Sequence, residues 1–296
     1  MEVFLIMFAL ILVAGVIAKG RYKPAHPQEP AASGAGVDPA NILEEELKRK
    51  IPEYMEQDRF FLMIQPVVEL ETGRIWSGEI TCRLSDPEHG VIYPNVFLPV
   101  VNRMGLQESF DLHIFEKTCA WLSGLSRERI PLDSVSVNFS RKTLSRPDLT
   151  ETLSAIARRY NVPHSQLALE ITEWEKETDI AAFRQNLTQL RNAGFQVFLD
   201  DLGSGVASPI DLYQYCMDVV KIDRSVLLAA QTQEGKAGFR ALVNLSEKQG
   251  FSVVCEGIET GEQAALARSC GCRYGQGFFW YRPVEAEVFL ESRKAK

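Results

Sequence analysis

The sequence predicts an α/β fold, a (β/α)8 TIM-like barrel over residues 42–296, and three observations carry that prediction. Short runs rich in Val, Ile and Phe alternate with longer segments of helical period, as in chains that lay parallel strands side by side through crossover helices. The strand-like runs number about eight, the number that closes such a barrel. Each run also carries a polar residue at or near its C-terminal end, where these barrels assemble their active sites.

In chain order, the first element is apolar: VFLIMFALILVAGVIA, Val3–Ala18, has no charge and is followed by Lys19, Arg21 and Lys23. At about 1.5 Å rise per residue it is slightly short of a full span, but with its flanks it can cross a thin bilayer. Residues 1–18 are therefore expected to form a transmembrane helix, and the positive-inside rule puts Lys19 onward in the cytoplasm. A cleaved signal peptide is the competing reading; Glu2 and the lack of a basic n-region weigh against it. Residues 19–41 follow as a flexible linker, too rich in Pro, Ala and Gly and too poor in large apolar residues to pack.

The expected strands are RFFLMIQ (59–65), SGEITCRL (77–84), VSVNFS (135–140), LALEIT (167–172), VFLDD (197–201), VVKID (219–223), SVVCEGI (252–258) and GQGFFW (275–280). Helical period marks FDLHIFEKTCAWLSGL, RPDLTETLSAIARRY and DIAAFRQNLTQLRNAG between them, the last closed by Gly194 as a C-terminal cap. The polar strand-end residues are Gln65, Glu79 with Arg83, Asn138, Glu170, Asp200 with Asp201, Lys221, Glu256 and Gln276. Any one of them could be an ordinary turn former. Their recurrence on every strand points instead to one functional rim.

Composition narrows the chemistry. With a net charge of −7 the chain lacks the clustered Lys and Arg that grip a nucleic-acid polymer through its phosphates. A small anionic ligand stays open to a site where a metal ion supplies the positive charge. The six cysteines lie mostly inside apolar runs, without zinc-site spacing, and read as buried thiols in a reducing compartment. His26, His89, His113 and His164 fall in linker, loop or helix contexts, and the serine of the GSG loop has no neighbouring histidine to activate it.

What remains is a rim of carboxylates with one amide, one lysine and two glutamines. Hard oxygen ligands in such number suit Mg²⁺ or Mn²⁺. Carboxylates packed this closely cannot all ionise without cations between them, so a site for two ions resolves the repulsion between Asp200 and Asp201. Two such ions are the usual device for phosphodiester cleavage. Lys221 is then placed to neutralise charge growing in the transition state, and Glu256, if not a ligand, to take a proton from the attacking water.

From about residue 42 to 290 the chain resembles the EAL domain of bacterial cyclic di-GMP phosphodiesterases. GEITCRL stands where that family has its naming Glu-Ala-Leu motif followed by arginine, and VSVNFS, LALEITE, FLDDLGSG, VVKID, VCEGIET and GQGFFWYRP follow in the family's order. The resemblance implies an EAL-type barrel with one antiparallel strand. It also implies metal binding by Glu79, Asn138, Glu170, Asp200 and Asp201, with Lys221 on water and Glu256 as general base. Gln65, Arg83 and Gln276 would contact the dinucleotide; Glu173 and Glu259 would support the site. The implied reaction opens cyclic di-GMP to linear pGpG. A homodimer formed near the loop after Asp201 is implied as well, while the apolar N-terminal run sets the expected location at the bacterial inner membrane, single-pass.

Ile80 and Thr81 replace Ala and Leu of the naming motif, Leu202 stands for Phe, Ser204 for Thr, and the continuation VASPI also departs from the pattern. Two other readings therefore stay open. One is a catalytically weak cyclic di-GMP receptor that signals through its helix or a protein partner; the other is a protein-interaction scaffold.

Overall fold

The computed structural model describes residues 39–128, 132–171, 180–204 and 216–294. The expected membrane helix and nearly all of the linker lie outside these residues, and among the described ones no helix is long and apolar enough to cross a membrane. Helix α1 (Pro39–Glu56) begins inside the stretch expected to be linker. Pro39 suits that place, because its fixed φ is compatible with the first helical turn and its missing N–H would have no partner there.

The barrel strands are β1 (Phe60–Glu69), β2 (Ile75–Asp86), β4 (Ser134–Phe139), β5 (Leu167–Ile171), β6 (Gln196–Leu202), β7 (Val219–Ile222), β8 (Ser252–Cys255) and β9 (Tyr274–Gln276). Their hydrogen-bonded order runs from β1 through β2, β4, β5, β6, β7, β8 and β9 and returns to β1, closing the barrel. From β2 to β9 all neighbours are parallel, whereas β1 is antiparallel to both β2 and β9. The reversal follows from the tight turn between β1 and β2, where Gly73 takes a φ of +69°; parallel neighbours would need a long crossover. Gln65 therefore lies within a reversed strand, not at the C-terminal end of a parallel one, and pairs directly with Glu79.

Two short strands went unforeseen: β3 (Gly90–Ile92) on β2 and β10 (Val284–Glu285) on β1. Runs of three and two residues leave no usable alternation in a sequence. The expected strand 252–258 stops at Cys255, and 275–280 stops at Gln276. Both end because the two following segments bond to each other: Ile258 N–H donates to Gln276 O at 3.1 Å and Phe279 N–H to Ile258 O at 3.0 Å.

Outside the barrel pack α2 (Pro94–Arg103), α3 (Gln107–Arg127), α4 (Arg141–Leu144), α5 (Leu149–Arg159), α6 (Ile180–Asn192), α7 (Arg224–Ala229), α8 (Gln233–Lys248), α9 (Gly261–Ser269) and α10 (Ala286–Lys294). Gly194 closes α6 with a φ of +98° as the sequence indicated. Five cysteines are buried in this structure, but Cys216 is exposed, since it precedes β7 and not within it.

Inside the barrel, one floor supports one site. Val67, Ala168, Phe198, Val219, Val254 and Tyr274 form an apolar layer, with Trp76 stacked on Tyr274 at 3.9 Å between ring centroids. Side chains two apart on a strand share a face. The residues one step above this floor are therefore Glu170, Asp200, Lys221, Glu256 and Gln276, and on the reversed β1, Gln65. Strand alternation alone thus stacks a charged layer on a dry one.

Candidate active site

Lys221 stands at the centre of that charged layer. Its side chain is buried, and its Nζ lies 2.6 Å from Glu170 Oε1, 2.7 Å from Glu256 Oε1, 3.0 Å from Glu79 Oε2 and 3.3 Å from Asp200 Oδ1. The four carboxylates come from β2, β5, β6 and the residue after β8. Gln276 adds a neutral brace, donating from Nε2 to Glu79 Oε2 at 2.8 Å and to Gln65 Oε1 at 3.3 Å. Asn138 donates to Glu79 Oε1 at 3.4 Å.

Asp200 and Asp201 pose a geometric problem, because adjacent residues of a regular strand point to opposite faces. β6 solves it with a bulge: its register against β7 jumps between Leu199 and Leu202, three steps on β6 against two on β7. Asp201 takes a φ of +55°, which is uncommon for any residue but glycine and less so for Asp and Asn. One carboxylate oxygen from each of Asp200, Asp201 and Glu256 then falls within 4.8 Å of the others. Bulges beside active sites commonly re-aim a side chain in this way.

The electrostatics follow from one ammonium facing an excess of carboxylates. Burial pushes Glu170 well above the usual carboxylate range, and the charges of Glu79 and Asp200 push the same way against the pull of Lys221. Glu256 is raised well above its ordinary value by burial first, then by Asp200 and Glu79. Burial opposes the charge on Glu79 too, but Lys221 and the hydrogen bonds from Gln276 and Asn138 outweigh it and hold Glu79 low. Burial likewise opposes the ammonium of Lys221, and its four anionic neighbours override that and raise it.

The arrangement fits divalent cations. Glu170 Oε2 is shielded from solvent and accepts no hydrogen bond, and the same holds for Gln276 Oε1; the shielded Asp200 Oδ1 has only the Lys221 ammonium at 3.3 Å. Buried carboxylate oxygens without donors are costly unless a cation or proton meets them. Glu79, Asn138, Glu170 and Asp200 on one side and Asp200 with Asp201 on the other supply the hard oxygen donors that Mg²⁺ or Mn²⁺ takes, with the Glu256 carboxylate beside them.

The other expected residues are placed less centrally. Arg83 shares the Glu79 face of β2 but donates to Cys82 O at 2.8 Å, with its guanidinium 4.6 Å above the Tyr93 ring. Gln65 Nε2 reaches Tyr281 O at 3.3 Å. Glu259 does not touch the Lys221 cluster; it holds Arg224 by a bidentate pair at 2.7 and 2.8 Å. Glu173 and residues 205–215, with the VASPI segment, lie outside the described residues. Sequence reading missed Arg224, whose stem packs on Gly257 and so steadies the segment that carries Glu256: a Cβ on Gly257 would meet Arg224 Cβ at 2.5 Å. The only trace in the sequence was a glycine directly after Glu256. It also missed Tyr93, which directly follows β3, the short strand paired with the motif-bearing β2.

The EAL domain family matches this chain over residues 44–283. The chain is 29% identical over 238 residues to the cyclic di-GMP phosphodiesterase RocR of Pseudomonas aeruginosa, covering 80% of this chain and 60% of that protein. It is 30% identical over 230 residues to the probable cyclic di-GMP phosphodiesterase PdeB of Escherichia coli, covering 76% of this chain and 43% of that one. The chain thus spans less than two thirds of the length of these relatives. Among solved structures, the PaMucR phosphodiesterase in complex with c-di-GMP matches with a TM-score of 0.75 and 28% identity, over 82% of this chain and 99% of that one.

Proposed function

The chain belongs to the EAL domain family, and on that premise we propose that it hydrolyses cyclic di-GMP to linear pGpG at the rim around Lys221. The observation that carries the reading is the buried Lys221 within 3.3 Å of four carboxylates from four separate segments, with Asp201 bulged in beside them. A cluster so mutually repulsive has little structural use and a clear catalytic one.

Glu79, Asn138, Glu170, Asp200 and Asp201 would hold two Mg²⁺ or Mn²⁺ ions, which when bound would activate water and stabilise charge on the scissile phosphate. Glu256, raised by burial, takes the proton of the attacking water. The water oxygen bonds to phosphorus, one P–O3′ bond breaks, and the ribose O3′ leaves as a hydroxyl by taking a proton from solvent, while the other nucleoside keeps the phosphate on its 5′ oxygen and Glu256 returns its proton to solvent. Lys221, permanently charged, offsets the negative charge that builds on the phosphoryl oxygens. Gln276 and Gln65 fix Glu79 from the other side, and Arg83 extends the cationic surface along β2 toward the dinucleotide.

We further place the chain at the bacterial inner membrane through residues 1–18, with the barrel in the cytoplasm, which the uncharged run Val3–Ala18 and the basic residues after it support; pairing as a homodimer is proposed on the family resemblance alone. A C-terminal reporter active only in the periplasm would overturn the orientation.

The function is tested with the purified full chain, Mn²⁺ and cyclic di-GMP. Glu79→Ala and Asp200→Ala should abolish turnover. Glu256→Gln should keep dinucleotide binding while slowing turnover by about 10²–10⁴-fold, the span of general-base contributions. Tight binding by the wild type without linear product would establish a receptor instead, and neither binding nor product would leave only a scaffold.

A further inference from the structure

Thr81 lies two residues beyond Glu79 and two before Arg83 on β2, so all three side chains share one face. Opposite them on β1 stand Gln65, Met63 and Phe61 in the pairs Gln65–Glu79, Met63–Thr81 and Phe61–Arg83. On its other edge β2 pairs with β4 only as far as Ile80 and with β3 only from Leu84, so Thr81 sits in the gap between two partners. Thr81 is partly exposed, yet its Oγ1 is shielded from solvent and has no hydrogen-bond partner. Its cross-strand neighbour Met63 offers only a weakly accepting thioether. A leucine here would leave no such group; threonine carries a hydroxyl that the protein itself does not satisfy.

Glu79 to Arg83 covers about 13 Å of strand, and a ligand held at both must pass over Thr81. Because Oγ1 is now shielded, contact with that ligand would require a rotation about χ1, which exchanges the methyl and hydroxyl between staggered positions. We infer that Thr81 is a substrate-contacting specificity residue, its hydroxyl hydrogen-bonding the nucleoside next to the scissile phosphate of the cyclic dinucleotide. The inference rests on the phosphodiesterase reading above.

The test compares wild type, Thr81→Val and Thr81→Ser as full chains with Mn²⁺ and cyclic di-GMP. Valine removes only the hydroxyl at constant shape, and losing one uncharged hydrogen bond should raise KM by about 3- to 10-fold with kcat nearly unchanged. Thr81→Ser should restore the wild-type KM. The melting temperature of Thr81→Val should not fall, because no intramolecular bond is lost. An unchanged KM in Thr81→Val, a serine variant as impaired as valine, or a valine variant that melts lower overturns the inference while leaving the phosphodiesterase reading intact. A wild-type chain that neither binds nor cleaves cyclic di-GMP overturns both.

Discussion

At Lys221 a single ammonium meets Glu79, Glu170, Asp200 and Glu256 in a site it cannot neutralise alone. Removing one partner of a buried ion pair typically costs about 3–5 kcal/mol. Lys221→Met should therefore abolish turnover and lower metal-free stability on that scale, and Mn²⁺ should recover more melting temperature in the variant than in the wild type. Equal Mn²⁺ gains in both would show that the ammonium and the cation do not answer the same charge. The protonation of Glu170 and Glu256 gives a second expectation. Their folded pKa values are raised, so between the ordinary glutamate value and those raised values the folded state binds more protons than the unfolded one. Metal-free stability therefore falls as pH rises through that window. Cations take the place of those protons, so Mn²⁺ binding should strengthen with pH and release protons, read by calorimetry in buffers of different ionisation enthalpy. Proton release of zero would contradict it. Nearly all of these residues were legible in the sequence, because the period of two along each strand fixes which side chains stand above the floor.

At the scale of elements, strand ends and loops carry what the sequence did not disclose. The β6 bulge that turns Asp200 and Asp201 to one site depends on register against β7, and a register is a property of two strands that neither sequence announces. The segment after β8 is held by Arg224 and Glu259 on one side and by the turn after β9 on the other. At Gly277 a Cβ would sit 2.0 Å from Ile258 O, so the two backbones are in direct contact. Gly277→Ala should cost about 1–3 kcal/mol through overpacking and reduce kcat by displacing Glu256, with metal binding at Glu79 and Asn138 less affected. A variant with wild-type stability and kcat would show that this contact does not set the position of Glu256. The helix α1 is anchored in a comparable way: Tyr54 donates to Asp86 Oδ2 at 2.7 Å, and Asp86 also accepts from the Glu88 and His89 amides of the β2–β3 turn. That turn gave no strand signal, since β3 is only three residues long.

For the whole molecule, the alternation of strand and helix predicted the barrel, and the short β1–β2 connection explains why one strand runs backward. The reversal brings Gln65 beside Glu79 and beside Gln276, which bonds both of them across 211 positions to Gln65 and 197 to Glu79. Closure of eight strands sets four carboxylates around one lysine, with Asp201 beside two of them, and leaves no free barrel edge near them. The net charge of −7, which argues against a nucleic-acid polymer, is thus concentrated partly where cations would reverse its sign for the small dianionic substrate proposed above. The most direct test of that account is the product formed from cyclic di-GMP by the full chain with Mn²⁺ in ¹⁸O-labelled water, read by mass spectrometry. The account predicts linear pGpG carrying one ¹⁸O atom on its 5′-phosphate; a folded, Mn²⁺-loaded chain that leaves the dinucleotide cyclic, or yields product without the label, would contradict it.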